Sequence, residues 1–319
     1  MDKKDQHIIK ELDLNPKITT SKLAKKVRLS QQVVNYRIKK LKENQTITHF
    51  GTILNLSKLG LEHYRILLNL GKTTPNEKQE ILTYLKKHKS VYWSATVGSK
   101  WDIFIVLYVK DYEEYEAFLE SIFKTFPQME DYDSIYVSYQ EFYRHRYLYD
   151  GPQQDPIKIG STKSPYVLSD FETSILNNIK SNCRVSSLEV SKQHDVSYKT
   201  VQARIKNFEE KNLIAGYRLF LDSKQYGYDA YILLISFSNY GRDIEKKIFA
   251  YARENPYITQ AVKLFGAWSL QLHIRAKDYQ DIQKLVVELR NTYPIIGDYE
   301  IIPVFEDSSI NLFPSTTSP

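Results

Sequence analysis

A single cysteine, Cys183, among 319 residues leaves no partner for an internal disulfide and no set of thiolates for a zinc site. Long apolar runs are also missing. No stretch approaches the ~18 residues of a membrane span, and the start, Met1-Asp-Lys-Lys-Asp5, lacks a signal peptide's apolar core. A cytoplasmic protein without membrane contact is expected. With only 11 glycines, the chain shows no Gly-rich phosphate loop, no nucleophile elbow and no metal-spaced His/Cys cluster. His7, His49, His63, His88, His145 and His194 are scattered singly. These absences argue against nucleotide hydrolysis, metal chemistry and triad chemistry, so the expectation is no enzyme, no cofactor and no metal. What remains is a globular composition, 42% hydrophobic and 26% charged. At about 150 residues per domain it suits at least two domains.

The chain repeats itself. One offset of 167 (197 − 30) aligns Ser30 with Ser197 and then holds without a gap. Val34/Val201, Arg37/Arg204, Ile38/Ile205, Gly60/Gly227, Tyr64/Tyr231, Trp101/Trp268, Asp111/Asp278, Pro127/Pro294 and Asp131/Asp298 all coincide. Generic helical periodicity does not align glycine, tryptophan and proline landmarks in one register, so the chain reads as an internal duplication. The stretch 149–167, rich in Pro, Gly and Ser, reads as a linker, and 307–319 as a flexible tail.

Each copy begins with about 50 residues of helical pattern. Ile8, Ile9 and Leu12, then Leu23, Ala24 and Val27, mark two short amphipathic helices. A third starts at the N-cap Ser30 and carries Val34, Ile38 and Leu41 inward. The short gap at Arg28-Leu29 is that of a helix-turn-helix. Copy two repeats it with Val190, the turn at Asp195-Val196, the cap Ser197, and Val201, Ile205 and Phe208. The rest of each copy reads βαββαβ, a ferredoxin-like sheet with two helices on one face. Trp93, Phe104, Val106, Tyr136 and Tyr139 are expected on the other face, covered by the second copy.

Charge is segregated. Residues 1–54 hold 12 Lys and Arg against 5 Asp and Glu, and residues 168–221 hold 8 against 6. The sheet segments are acidic, 12 against 14 over 55–150 and 10 against 12 over 222–319. Basic heads on acidic bodies point to double-stranded DNA at one end, because Lys and Arg attraction to phosphate supplies most sequence-independent affinity. On the third helix Gln31, Gln32, Asn35, Tyr36, Lys39 and Lys40 face away from the core; their counterparts are Tyr198, Lys199, Gln202, Ala203 and Lys206. Asn and Gln suit adenine, Lys suits guanine or phosphate. Ser30, Ser197, Arg37 and Arg204 complete the candidate DNA-binding set, the two arginines as phosphate contacts with an internal ion pair as the alternative.

Each copy resembles a complete member of the Lrp/AsnC (feast/famine) family of transcription regulators. The resemblance rests on Leu23-Ala24, on the stretch from Ser30-Gln-Gln-Val-Val-Asn-Tyr to Ile47, on Leu59-Gly60, and on the turn Val97-Gly-Ser-Lys-Trp-Asp102. It implies an α+β fold: a tandem duplication of a winged helix-turn-helix plus a ferredoxin-like βαββαβ domain. The domains are then 1–54, 55–148, 168–221 and 222–306. It further implies sheet domains that dimerise face to face and an amino-acid effector bound near the turn, at Ser99, Trp101, Asp102, Gly266 and Trp268. The sequence departs from the family pattern where Ser99 replaces a glycine, where Ser269 replaces the acid, and where Gln45 and Thr46 stand in for the glycine ahead of Ile47. That helix end is expected to terminate differently.

The resulting expectation is a DNA-binding regulator acting as a single-chain pseudo-dimer with two non-identical heads and room for further self-association. Two alternatives are a tetrapyrrole-binding enzyme resembling sirohaem decarboxylases and a sensor that has lost DNA binding in copy two. The strand Trp101–Tyr108 carries no histidine, and His273 in copy two is a lone His that reads as a core residue rather than a haem ligand.

Overall fold

The computed structural model describes residues 2–151, 154–160, 165–239 and 242–307. Most of the stretch read as a flexible tail, 308–319, therefore lies outside the described residues. The first copy runs α1 (Lys3–Leu14), α2 (Thr20–Val27), α3 (Gln31–Glu43), β1 (Ile47–Leu54), β2 (Glu62–Asn69), α4 (Pro75–Lys87), β3 (Val91–Val97), β4 (Ile103–Val109), α5 (Tyr112–Thr125) and β5 (Asp131–Phe142). A short β6 (Ile157–Gly160) follows. The second copy repeats the order as α6 (Asp170–Ile179), α7 (Ser187–Lys192), α8 (Tyr198–Glu210), β7 (Ile214–Leu221), β8 (Asp229–Phe237), α9 (Arg242–Glu254), β9 (Ile258–Phe265), β10 (Leu270–Ala276), α10 (Tyr279–Thr292) and β11 (Ile296–Asp307).

The duplication extends to backbone detail. Ser30 and Ser197 cap α3 and α8, and Asp111 and Asp278 cap α5 and α10. Left-handed residues come in matched pairs: Arg28 with Asp195, Gln45 with Asn212, Gly60 with Gly227. Gln45 sits at φ 60°, the left-handed conformation that glycine adopts most readily, and Asn212 repeats it in the second copy. Its cost is the left-handed strain of a residue with a Cβ.

Each βαββαβ unit forms a four-stranded antiparallel sheet, β5-β2-β4-β3 in the first copy and β11-β8-β10-β9 in the second. The two sheets join at both edges, β3 to β11 and β9 to β5, so the eight strands form a closed ring. Phe104, Val106, Ile135, Val262, Leu264 and Ile302 fill the space between the sheets, and Trp93 packs against them. The helices cover the outside over two further cores, one per copy.

Tyr136 and Tyr139 are a correction. With Ile135 and Val137 facing inward, strand alternation turns Tyr136 outward, edge-on to Tyr64 at 5.6 Å. A bulge between Val137 and Tyr139 then reverses the parity and sends Tyr139 to the helix side, against Phe249. The segment read as a linker also holds structure: β6 pairs with β5, and Ile157 and Ile159 are buried against Ile53.

Candidate nucleic-acid interface

Each head is built by burying one face of three short helices. In the first head Ile8, Ile9, Leu12, Leu23, Val27, Val34 and Leu41 are buried together. The left-handed C-cap at Arg28 turns the chain sharply between α2 and α3. The two heads are tied to each other: β1 pairs antiparallel with β7 along its length, Cys183 and Leu219 of the second copy enter the first head's core, and Thr52 Oγ1 donates to the Ile179 carbonyl at 2.7 Å.

With Val34 and Leu41 buried, the opposite face of α3 is left to solvent. Gln31, Gln32, Asn35, Tyr36, Lys39 and Lys40 are all exposed, Tyr36 at 64%. On α8 the same face shows Tyr198, Lys199, Gln202, Ala203 and Lys206. Lys39 and Lys206 pair with Glu43 and Glu210 one turn along, surface pairs that hold these side chains only weakly. Ser30 Oγ and Ser197 Oγ accept from the N–H groups of Val33 and Thr200, so both hydroxyls serve their own helices.

Arg37 turns back onto its own head, and Arg204, though exposed, lies within ion-pair distance of an acid of the second head. Arg37 donates to Asp2 at 2.6 Å and Asp5 at 2.8 Å, and these hydrogen bonds to Asp5 and Asp2 raise its already high pKa. Arg204 reaches Glu172 at 3.7 Å. Asp5 and Glu172 occupy equivalent positions in the two copies, so the arginine is a brace between first and third helix in each.

The turn residues occupy the seam between the copies. Trp101 Nε1 donates to Glu300 at 3.3 Å, and Ser99 Oγ donates to the same carboxylate at 2.6 Å; in the reverse direction Trp268 hydrogen-bonds Asp133. Asp102 accepts from the Leu70 N–H at 2.9 Å and from Lys78 at 3.1 Å. Ser269, which stands in the equivalent place, accepts from the equivalent N–H, that of Phe237, at 3.2 Å. The acid-to-serine difference therefore keeps the backbone contact. Gly266 adopts φ 142°, where Ser99 adopts 72°.

Sequence reasoning read His63 as one of the scattered histidines and His273 as a core residue, and passed over Arg65 and Gln271 inside the ring. Arg65 and His63 on β2, and Gln271 and His273 on β10, point between the sheets, where Arg65 is 3% exposed. The available signal was parity: Arg65 shares its strand face with Leu67.

A family model described as winged helix-turn-helix DNA-binding matches residues 1–48 and 168–215, the two heads. An uncharacterized HTH-type transcriptional regulator of Pyrococcus furiosus is 33% identical over 139 residues, 43% of this chain and 93% of the relative. Regulatory protein AsnC of Escherichia coli is 23% identical over 146 residues, 44% of this chain and 93% of AsnC. Each relative thus spans one copy. Over both copies the fold is similar to the crystal structure of the siroheme decarboxylase NirDL, with a TM-score of 0.64, 14% identity, and coverage of 95% of this chain and 91% of that one. This overturns the expectation that the chain is not an enzyme, because an enzyme has the same full-length double-domain architecture. The heads, their matched regulators and the repeated layout together assign the chain to the Lrp/AsnC family of helix-turn-helix regulators, two copies in tandem.

Proposed function

We propose that the chain is a sequence-specific DNA-binding regulator that acts as a single-chain pseudo-dimer with two unlike heads. The observation that carries this is the exposed face of α3 on the basic head, with Gln32, Asn35, Tyr36, Lys39 and Lys40 outward while Val34 and Leu41 are buried. A homodimer reads a symmetric site because its halves are alike; here Asn35-Tyr36 faces one half-site and Gln202-Ala203 the other, so the operator is asymmetric. The first head, with 12 basic against 5 acidic residues, supplies most of the affinity. Tethering raises the effective concentration of the second once the first has docked. An amino-acid effector fits the same scheme at the seam: its ammonium would compete for Glu300 or Asp133 and loosen the tryptophan bridges that hold the copies in register.

The test is DNA binding across salt concentrations with Lys25, Lys26, Lys39 and Lys40 replaced together by Gln. Loss of affinity with a shallower salt slope is expected; unchanged affinity and slope would sink the reading. A second reading, an enzyme acting on a tetrapyrrole, is favoured by the full-length likeness to NirDL. Titration with sirohaem separates the two, since a stoichiometric Soret shift followed by loss of CO2 would support the enzyme.

A further inference from the structure

The ring interior is not uniformly apolar. Gln260 Nε2 donates to Gln140 Oε1 at 2.7 Å, and Arg65 Nη2 donates to the same oxygen at 3.2 Å. Gln271 Nε2 lies 2.5 Å from His273 Nε2. Three buried atoms of this group have no partner among the described residues: Arg65 Nε, His63 Nε2 and Gln271 Oε1. Arg65 is thus a buried cation whose hydrogen-bonded acceptor is a neutral amide. The groups acting on it are the Tyr108 and Tyr92 phenols, which burial keeps protonated, and burial draws the guanidinium down only to about 10, so it stays charged at neutral pH. A buried charge without a counter-charge is costly.

The pseudo-symmetry fails at this point. The equivalents of His63 and Arg65 are Ala230 and Ile232, and those of Gln271 and His273 are Phe104 and Val106. At these four positions one side of the interior is polar where its counterpart is hydrocarbon, so this combination occurs once per chain. Both copies build it, Arg65 and Gln140 from the first, Gln260, Gln271 and His273 from the second.

We propose that this set is a binding site, one per chain, for the carboxylate of a small organic acid. The guanidinium edge that carries the free Nε and Nη2 is the fork that takes a carboxylate in two parallel hydrogen bonds. Gln271 Oε1, an acceptor without a donor, matches a hydroxyl on the same molecule. The site does not depend on the DNA reading.

Thermal unfolding and calorimetric titration of the full chain with sodium acetate and sodium lactate test it, against sodium chloride and sodium phosphate at equal ionic strength. Expected are a saturable rise in Tm of several degrees with lactate and acetate, a stoichiometry of one, and no response to chloride or phosphate beyond ionic strength. Arg65→Met is expected to abolish the shift while keeping or raising Tm in carboxylate-free buffer, since it removes the lone charge and keeps volume. Arg65→Lys, which keeps charge without the fork, is expected to weaken binding at least tenfold and guards against a misfolded Met variant. No shift with either carboxylate, an equal shift with phosphate, a shift that survives in Arg65→Met, or a sharply lower Tm of that variant in plain buffer would each overturn the proposal.

Discussion

Trp101, from the first copy, and Glu300, from the second, are joined by a hydrogen bond of 3.3 Å, and the mirror pair, Trp268 and Asp133, is joined as well. The two bonds staple the copies at both ends of the pseudo-two-fold. Trp101 is 4% exposed, so Trp101→Phe keeps much of the packing and loses the bond. The expected cost is about 1 kcal/mol, whereas Trp101→Ala, which also opens a cavity, costs roughly 3–5 kcal/mol. Urea unfolding of the two variants checks the ordering.

Gln45 holds a left-handed backbone at φ 60° at the end of α3. Gln45→Gly is therefore expected to stabilise the chain by about 1 kcal/mol, through relief of the Cβ clash and despite glycine's larger unfolded-state entropy. A fall in the urea midpoint would contradict it.

Arg37 contacts Asp5 and Asp2 with partly shielded side chains. A double-mutant cycle of Arg37→Ala with Asp5→Ala is expected to show a coupling of about 0.5–1 kcal/mol in unfolding. If Arg37 instead served phosphate alone, the coupling would vanish and Arg37→Ala would flatten the salt dependence of DNA binding by about one ion.

His145 is buried, its Nε2 at 2.9 Å from the Leu219 carbonyl, and burial pushes its pKa from 6.5 down to about 4. His49 is pushed to about 4 by the same cause. Between pH 6.5 and 4 the unfolded chain binds protons that the folded chain refuses. Stability is therefore whole above pH 6.5 and falls as the pH drops toward 4, by up to about 3 kcal/mol for one such histidine. His145→Gln is expected to make the acid limb shallower, by at most one proton in the slope of unfolding free energy against pH; an unchanged limb would show that another group dominates it.

Asn35 and Gln202 face solvent from equivalent heads. Asn35→Ala is expected to weaken specific binding by about 1–3 kcal/mol and to relax selectivity in one half-site only. Gln202→Ala is expected to act on the other half-site with a smaller effect, and equal losses in both half-sites would remove the asymmetric operator.

Much of this molecule was legible before any coordinates. Matched caps at Ser30 and Ser197, the glycines at 60 and 227, and the tryptophans at 101 and 268 carried the duplication, because caps and glycines mark backbone needs and the tryptophans one particular side-chain contact, rather than a generic preference. What was hidden depended on contacts between distant segments. The bulge beside Tyr139 is set by its pairing with β9, and Arg37's partners lie on α1, 32 and 35 residues away. Arg65 becomes a buried charge only because the second sheet closes over β2, a contact that no local pattern shows.

A ring in which every one of eight strands has neighbours on both sides, contributed by a single polypeptide, has no half to exchange. Nor does dilution separate the halves. On the DNA reading proposed above, and for the chain acting alone, occupancy of a DNA site rises with the first power of protein concentration, where a dissociating pair of subunits gives the second, so the response to a change in expression is graded rather than steep.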